Sequence, residues 1–386
     1  MTRWPHFDDE QIAAVTDLLR SGKVNSWTGP DVAAFEQDYR AYTGSTHAVA
    51  LANGTVSLDL ALRVLELQPG DEVIVTPRSF VASATCVLLA GGVPVFADVD
   101  RDSQNITPET IAPLITAKTK GIIPVHLGGW PCDMPAIMDL ARSHGLWVIE
   151  DCAQAHGAMI DGQHVGRFGD FGSFSFCQDK IISTGGEGGL LLTENRDLWS
   201  SAWSFKDHGK DYDTVHNRPH PPGFRWLHKN VGTNLRMTGL SAALGRVQLS
   251  RLEDWCRIRN ENAAILLQAL GNNDVLRTPA PDGGIRHAYY RFYSFVRPEA
   301  LASGWSRDRI IAEINAAGFP AFSGSCSEIY LEKVFADRSI GPPARLAVAR
   351  ELGDTSLAFL VDPAWTRPEI ESLADCILRV VRQAKG

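Results

Sequence analysis

The chain has 386 residues, 44% of them hydrophobic and 21% charged, values of an ordinary globular protein that exclude wholesale disorder. At roughly 150 residues per domain this length predicts about two to three domains and a core that needs no disulfide staples. Lys and Arg number 37 against 45 Asp and Glu, a net charge of −8, which argues against broad binding to nucleic acid or to an anionic membrane.

In chain order, a helix is expected over Asp8–Ser21, then a loop containing Gly and Pro, then a second helix over Asp31–Thr43. Short apolar runs follow at Glu72–Val75, Val93–Val99, Gly121–Val125, Leu146–Glu150, Gly172–Phe176 and Gly189–Leu192. Between them, Val56–Leu67, Ala82–Ala90 and Met134–Ser143 carry helical spacing. Strands alternating with helices predict an α/β fold with a mostly parallel sheet covered on both faces. Ala243–Ala269 reads as a long amphipathic helix or helix pair, with Leu244, Val247, Leu249, Leu252 and Trp255 on its apolar side. A strand is expected at Tyr289–Val296 and helices at Asp308–Ala317 and Arg367–Gln383. This divides the chain into a large domain over 1–250, N-terminal helices included, and a smaller C-terminal α+β domain over 251–386.

Several chemistries are excluded by absence. There is no GxxxxGK[ST], no GxGxxG after an early strand, no HExxH and no Gly-x-Ser-x-Gly. The 11 histidines lack metal-ligand spacing, so no metal site is expected. Seven cysteines, at 86, 132, 152, 177, 256, 326 and 376, are odd in number and form no CxxC, which reads as reduced thiols. The N-terminal MTRWPHFDDE has no basic-then-apolar signal pattern, and no run of about 18 apolar residues occurs. A soluble, cytoplasmic protein is therefore expected.

In open α/β sheets ligands gather at the carboxyl ends of strands, beside helix N-termini. Four elements fall there. Asn53-Gly54-Thr55-Val56-Ser57 is a strand-to-helix turn that offers N–H groups and hydroxyls to a phosphate. An apolar strand delivers Asp151, a carboxylate able to hold a protonated ring nitrogen. Lys180 follows Phe174-Ser175-Phe176 and precedes the glycine-rich Gly185–Gly189, with room to form a covalent imine. Phe80, within Thr76–Ala82, could stack on a flat ring. Singly, each has an ordinary structural explanation: a helix cap, a surface carboxylate, a solvated lysine, a core aromatic. Their order along one chain is far more specific.

That order resembles the fold-type I pyridoxal-phosphate enzymes, and most closely the DegT/DnrJ/EryC1/StrS family of sugar aminotransferases. The likeness rests on ANGTVSLDLAL (52–62), PGDEVIVTP (69–77), PVFADVD (94–100), IIPVHLGGWPCDM (122–134), IEDCAQAHGA (149–158), FSFCQDKIISTGGEGG (174–189) and GTNLRMTGLSAALGRVQL (232–249). It implies pyridoxal 5′-phosphate as cofactor, with pyridoxamine 5′-phosphate as the intermediate form. Lys180 would carry the cofactor as a Schiff base and shuttle the proton between the donor Cα and C4′. Asp151 would pair with the pyridine nitrogen so that the ring acts as an electron sink. Gln154 would contact the ring hydroxyl, and Phe80 would stack on the ring face. Gly54, Thr55 and Ser175 would hold the phosphate. Asn234 would reach the phosphate of the neighbouring subunit's cofactor, making a homodimer with shared active sites.

Arg236 is either an anion-binding residue or part of a structural ion pair. His208, His126 and His156 are candidates for supporting positions around the pocket, and Ser323–Tyr330 lies where an acceptor could be read. The implied reaction moves an amino group from L-glutamate or L-glutamine to a keto-sugar of the nucleotide-linked kind, for amino-sugar or polysaccharide biosynthesis. In related sugar dehydratases a histidine replaces the Schiff-base lysine, so Lys180 favours transamination. A keto-cyclitol acceptor of the scyllo-inosose type, a dehydratase and a noncatalytic regulator remain as other readings.

Overall fold

A computed structural model describes residues 3–219 and 225–386. The strands, in chain order, are β1 His47–Leu51, β2 Glu72–Val75, β3 Val93–Phe96, β4 Thr119–Ile123, β5 Trp147–Asp151, β6 Met159–Ile160, β7 Gln163–His164, β8 Phe171–Ser175 and β9 Gly189–Thr193. Seven of them form one sheet in the order β1-β9-β8-β5-β4-β2-β3. The pairs β2–β3, β2–β4, β4–β5 and β5–β8 are parallel, whereas β9 runs antiparallel to both β8 and β1. The expected mostly parallel sheet is therefore present. Its edge strand β1 is an addition to the runs that the apolar pattern picked out.

The helices α1 Asp9–Ser21, α2 Asp31–Thr43, α3 Gly54–Val64 and α4 Ala82–Leu89 cover this sheet with later helices. On one face, Phe35 and Tyr39 of α2 pack with Phe174, Phe176, Leu190 and Leu192. On the other, Leu58 and Leu62 of α3 pack with Val73, Val75 and Phe171. Burial on both faces explains why these strands read as continuous apolar runs and not as alternating ones.

The stretch expected as a long helix or helix pair is one helix, Gly239–Leu270. It begins four residues earlier than its apolar spacing suggests, because the Thr238 side chain caps it by accepting from Ser241 N–H. The helix passes without a break through residue 250 and leads into a second sheet. That sheet has β10 Leu276–Arg277, β12 Phe292–Val296, β13 Ala321–Phe322 and β14 Ser356–Phe359 in the antiparallel order β10-β12-β14-β13. β11 Ile285–Arg286 instead joins β6 and β7 in a small ribbon. Helix Arg367–Ala384 buries Ile370, Leu373, Ile377 and Val380 against the second sheet.

The strand expected from Tyr289 starts at Phe292. Tyr289 has φ +45°, and the Ala288 and Arg291 N–H groups donate to Gly129 and Gly128 carbonyls. Residues 288–291 are thereby held as a loop over the end of the large sheet. No helix among the described residues is long and apolar enough to cross a membrane.

Candidate active site

The turn after β1 places a helix N-terminus at the sheet's edge. Asn53 is extended and caps α3, its side-chain oxygen accepting from Val56 N–H at 3.0 Å. The Gly54 and Thr55 N–H groups lie in the first helical turn, where no intrahelical acceptor exists. β8 ends beside them at Ser175. A Cβ at Gly54 would stand 2.6 Å from Ser175 Cβ and 3.0 Å from Ser175 Oγ, so only glycine lets the turn and the strand end approach this closely. The result is a cradle of N–H and hydroxyl donors at the positive end of a helix, suited to a phosphate dianion.

β5 delivers Asp151, which is buried. Its Oδ2 accepts from Ser83 Oγ at 2.7 Å and its Oδ1 from Ala153 N–H at 3.1 Å. Burial raises the Asp151 carboxyl above its ordinary range, although Ser83, Ala153 and the Lys180 charge all work against that. A cation placed next to it would favour the carboxylate form. Gln154, three residues on, spends its Oε1 on the Gly128 N–H at 2.7 Å, leaving its amide NH₂ as a donor.

Beyond β8, the Cys177 and Gly186 segments run side by side, and the Gln178 N–H donates to the Gly186 carbonyl at 3.1 Å. Gly186 sits at φ +118°, a backbone conformation that side chains disfavour. This return presents Lys180, whose side chain is 16% exposed and whose Nζ lies 3.5 Å from Asp179 Oδ2. Tyr290 donates its hydroxyl to the same Asp179 oxygen, and Lys180 Nζ is 5.1 Å from the Tyr290 ring centre. Burial by itself would raise the Asp179 carboxyl, but Lys180, Tyr290 and Arg291 together hold it below its ordinary value.

These groups meet in one cavity of about 580 Å³, lined by Gly54, Thr55, Phe80, Asp151, Gln154, Ser175 and Lys180 among others. All of the expected site residues except Asn234 are thus brought together. Phe80 is 69% exposed, an aromatic face standing free on the cavity wall instead of packing in the core. A second cavity of about 690 Å³ opens in front. Ser79, Phe80, Gln154, Asp179 and Lys180 line both, while Tyr290, Arg291, Phe322, Cys326 and Lys333 line the outer one alone. Gly324, Ser325, Cys326 and Ile329, from the Ser323–Tyr330 stretch, are on its wall. The outer-chamber residues Tyr290 and Arg291 were missed by sequence reasoning.

Asn234 is exposed and lines neither cavity of its own chain. Arg236 Nη1 is 2.6 Å from Asp207 Oδ1, an oxygen it shares with Lys210 Nζ, so the structural ion pair is what this chain contains. His208 is exposed, at φ +60°, and is not brought to the cavity. His156 is buried: Nε2 donates to the Ser175 carbonyl at 2.8 Å, so Nδ1 accepts from Tyr39 Oη at 2.9 Å. Burial pulls its pKa down to about 4, and the neutral ring anchors the end of β8.

His126 belongs to a different network. Its Nδ1 accepts from Cys132 N–H at 2.9 Å and its Nε2 faces Glu150 Oε2 at 3.1 Å. Glu150 also accepts from Gly166, Phe168 and Gly169 N–H groups. Cys152 lies beside these two, but the Glu150 oxygens are engaged by the 166–169 loop and His126 Nδ1 by Cys132 N–H.

An amine, a buried carboxylate, an open aromatic face and a phosphate cradle fit pyridoxal phosphate group by group. Comparison with known proteins agrees. The model of the DegT/DnrJ/EryC1/StrS aminotransferase family matches residues 5–378. A UDP-N-acetyl-3-dehydro-alpha-D-glucosamine 3-aminotransferase of Acidithiobacillus ferrooxidans is 35% identical over 348 residues, covering 90% of this chain and 88% of that one. A 3-amino-5-hydroxybenzoate synthase of Amycolatopsis mediterranei is 31% identical, covering 99% of this chain and 97% of that one. The crystal structure of an aminotransferase from Psychrobacter cryohalolentis superposes with a TM-score of 0.97 at 49% identity, covering 99% of each chain. The chain belongs to the DegT/DnrJ/EryC1/StrS family of pyridoxal-phosphate-dependent aminotransferases, and its fold is that of the fold-type I enzymes.

Proposed function

We propose that this enzyme transfers the amino group of L-glutamate or L-glutamine to a nucleotide-linked keto-sugar. The observation that carries the reading is the pair of joined cavities: an inner one of about 580 Å³ that fits the cofactor, and an outer one of about 690 Å³ reached past Lys180. The outer cavity is far larger than an amino acid needs and suits a sugar with a bulky, charged substituent. Arg291 and Lys333 on its wall complement a diphosphate. The Acidithiobacillus relative is named for a UDP-linked keto-sugar, which supports the same acceptor class.

In this reading Gly54, Thr55 and Ser175 hold the phosphate, Phe80 covers one ring face, and Gln154 donates its amide to the ring hydroxyl. Asp151 keeps the ring nitrogen protonated; the buried carboxylate and that cation stabilise each other. Bound there, pyridoxal phosphate supplies an electron sink for the charge that develops at the donor Cα. Lys180 Nζ would hold the cofactor and would be the base that takes the donor Cα proton. Asp179, held by Tyr290, stands 3.5 Å from Lys180 Nζ, and both residues line the two cavities together. Asn234 completes the phosphate site of a second subunit in a homodimer, and the enzyme works in the cytoplasm.

The test is a visible absorption titration of the purified chain with pyridoxal phosphate, then with L-glutamate and L-glutamine, beside Lys180→Ala. Wild type should gain a long-wavelength band that one donor bleaches; the variant should show no turnover. Full turnover by Lys180→Ala would end the assignment. The aminated chain is then offered UDP- and GDP-linked keto-hexoses beside scyllo-inosose. The hydroxybenzoate synthase relative makes a carbocyclic acceptor the second reading, and amination of scyllo-inosose alone would select it.

A further inference from the structure

Arg78 follows Pro77 at the end of β2 and is 0% exposed. Its Nε donates to Gln104 Oε1 at 2.9 Å, its Nη2 to Ser356 Oγ at 3.0 Å, and its Nη1 to the Ser325 carbonyl at 3.3 Å. The guanidinium carbon lies 5.7 Å from the centre of the Tyr293 ring. Every one of these partners is uncharged. A guanidinium cannot shed its proton to escape burial, and taking it out of water without a carboxylate is strongly unfavourable. Packing alone would have placed an aliphatic residue here.

What Arg78 does with that charge is join distant segments. Its own backbone leads directly into Ser79 and Phe80, which line both cavities. Its side chain grips Ser325, which with Gly324 and Cys326 lines the outer cavity and not the inner one. Neighbouring bonds complete the seat. Ser325 N–H donates to Tyr293 Oη at 3.0 Å, Ser356 Oγ to the Ser323 carbonyl at 2.6 Å, and Ile329 N–H to the Pro77 carbonyl at 2.9 Å. Ser356 thus links the two: its hydroxyl accepts from Arg78 and donates to the Ser323 carbonyl.

We propose that Arg78 is a positioning residue for the second substrate, clamping the Ser323–Cys326 wall of the outer cavity against the strand end that carries Phe80. It therefore governs capture of the acceptor and leaves the donor half-reaction, which is confined to the Lys180 end, almost untouched. This rests on the amino-transfer reading above.

The experiment compares wild type with Arg78→Met, Arg78→Lys and the milder Ser356→Ala, each as full-length protein with pyridoxal phosphate. Four quantities are read: the single-turnover rate with the amino-acid donor, KM and kcat for the keto-sugar that wild type accepts, and the amide hydrogen-exchange rate across residues 323–329, followed by peptide mass spectrometry. Arg78→Met is expected to keep the donor rate within about threefold and to raise acceptor KM at least about tenfold with kcat little changed. Exchange of the Ser325 and Ile329 amides, bonded to Tyr293 Oη and the Pro77 carbonyl, should accelerate at least about tenfold as the wall loosens. Lysine keeps the charge without the planar fork and should fall between; Ser356→Ala should move the same way by a smaller factor. Wild-type values of acceptor KM and of amide exchange across residues 323–329 in Arg78→Met would overturn the proposal, as would a parallel fall in both half-reactions. If Arg78→Met does not fold, Arg78→Lys and Ser356→Ala carry the same comparison. A wild type inert to both donors would refute the function proposed above, while the amide-exchange rates across residues 323–329 would still decide the seat of this wall.

Discussion

Gly54→Ala isolates the close approach on which the phosphate cradle depends. The new Cβ would stand 2.6 Å from Ser175 Cβ, 3.0 Å from its Oγ and 3.1 Å from its Cα. Carbon atoms rest at about 3.5–4.0 Å, so the α3 turn and the end of β8 must part by about 1 Å. An N–H donor at about 2.9 Å from a phosphate oxygen would move to about 3.9 Å, outside hydrogen-bonding range. A charge-assisted hydrogen bond contributes about 1.5–3 kcal/mol, so losing one weakens cofactor binding roughly tenfold to a hundredfold. Stability responds differently: overpacking costs about 1–3 kcal/mol, offset in part by alanine's helix propensity, up to about 1 kcal/mol over glycine. The assay is a fluorescence or absorbance titration with pyridoxal phosphate, run beside thermal denaturation of the cofactor-free protein. Gly283→Ala is the control, since a Cβ there meets nothing within 4 Å. The expected result is a Kd raised at least about tenfold with only a modest fall in Tm. A Kd within about twofold of wild type would refute the cradle, because the geometry leaves the alanine nowhere to go.

Three further outcomes follow from groups buried around the site. Burial raises the Asp151 carboxyl, so its ionised form weighs on stability increasingly as pH rises through the folded pKa. Asp151→Asn should therefore leave the cofactor-free Tm at pH 8 unchanged or higher, while amino transfer falls at least about a hundredfold for want of a partner to the ring nitrogen; a Tm loss comparable to a cavity mutation would contradict this. His156 and His164 are held near pKa 4 and His287 near 3, all chiefly by burial. Because the unfolded chain takes up these protons near pH 6.5 and the folded chain does not, stability present above 6.5 is lost as pH falls toward 4. Urea titrations across that range should show uptake of about three protons on unfolding near pH 5, and a pH-independent midpoint would exclude the linkage. Glu150→Ala strips acceptors from Gly166, Phe168 and Gly169 N–H groups at 2.7–2.9 Å. Each buried orphan donor costs about 1–3 kcal/mol, so the variant should lose several kcal/mol by chemical denaturation, whereas Glu150→Gln should lose less.

Much of the inner chamber's wall was legible because its residues sit at strand ends, and strand ends can be read locally. Gly54, Asp151, Ser175 and Lys180 each follow an apolar run, and a parallel sheet brings those ends to one edge whatever the loops do. Phe80 was legible for the same reason. The outer chamber was not. Tyr290 meets Asp179 across 111 positions of chain, and no local pattern distinguishes it from a core strand residue, which is how Tyr289–Val296 reads. Arg78 defied the expectation that arginine stays at the surface; its burial is decided by Gln104, Ser325 and Ser356, residues up to 278 positions away. Arg236 carried two meanings in the sequence, and only the Asp207 carboxylate, 29 residues upstream, shows which partner it has within one chain. His208 had family context but no packing to hold it inward, and it stands in solvent.

The two joined cavities have a consequence for how such enzymes diversify. Every wall residue of the inner chamber comes from between Asn53 and Glu187, whereas those unique to the outer chamber, Val81 aside, come from between Tyr290 and Ala358. Drift in the later stretch can recast the outer chamber without touching any residue of the inner wall, so the two halves of the site can evolve at separate tempos. A lineage built this way keeps one reagent and changes its customers. Recombining the first half of one relative with the second half of another is the laboratory form of the same process, and the unbroken Gly239–Leu270 helix marks the stretch where the splice has to be continuous.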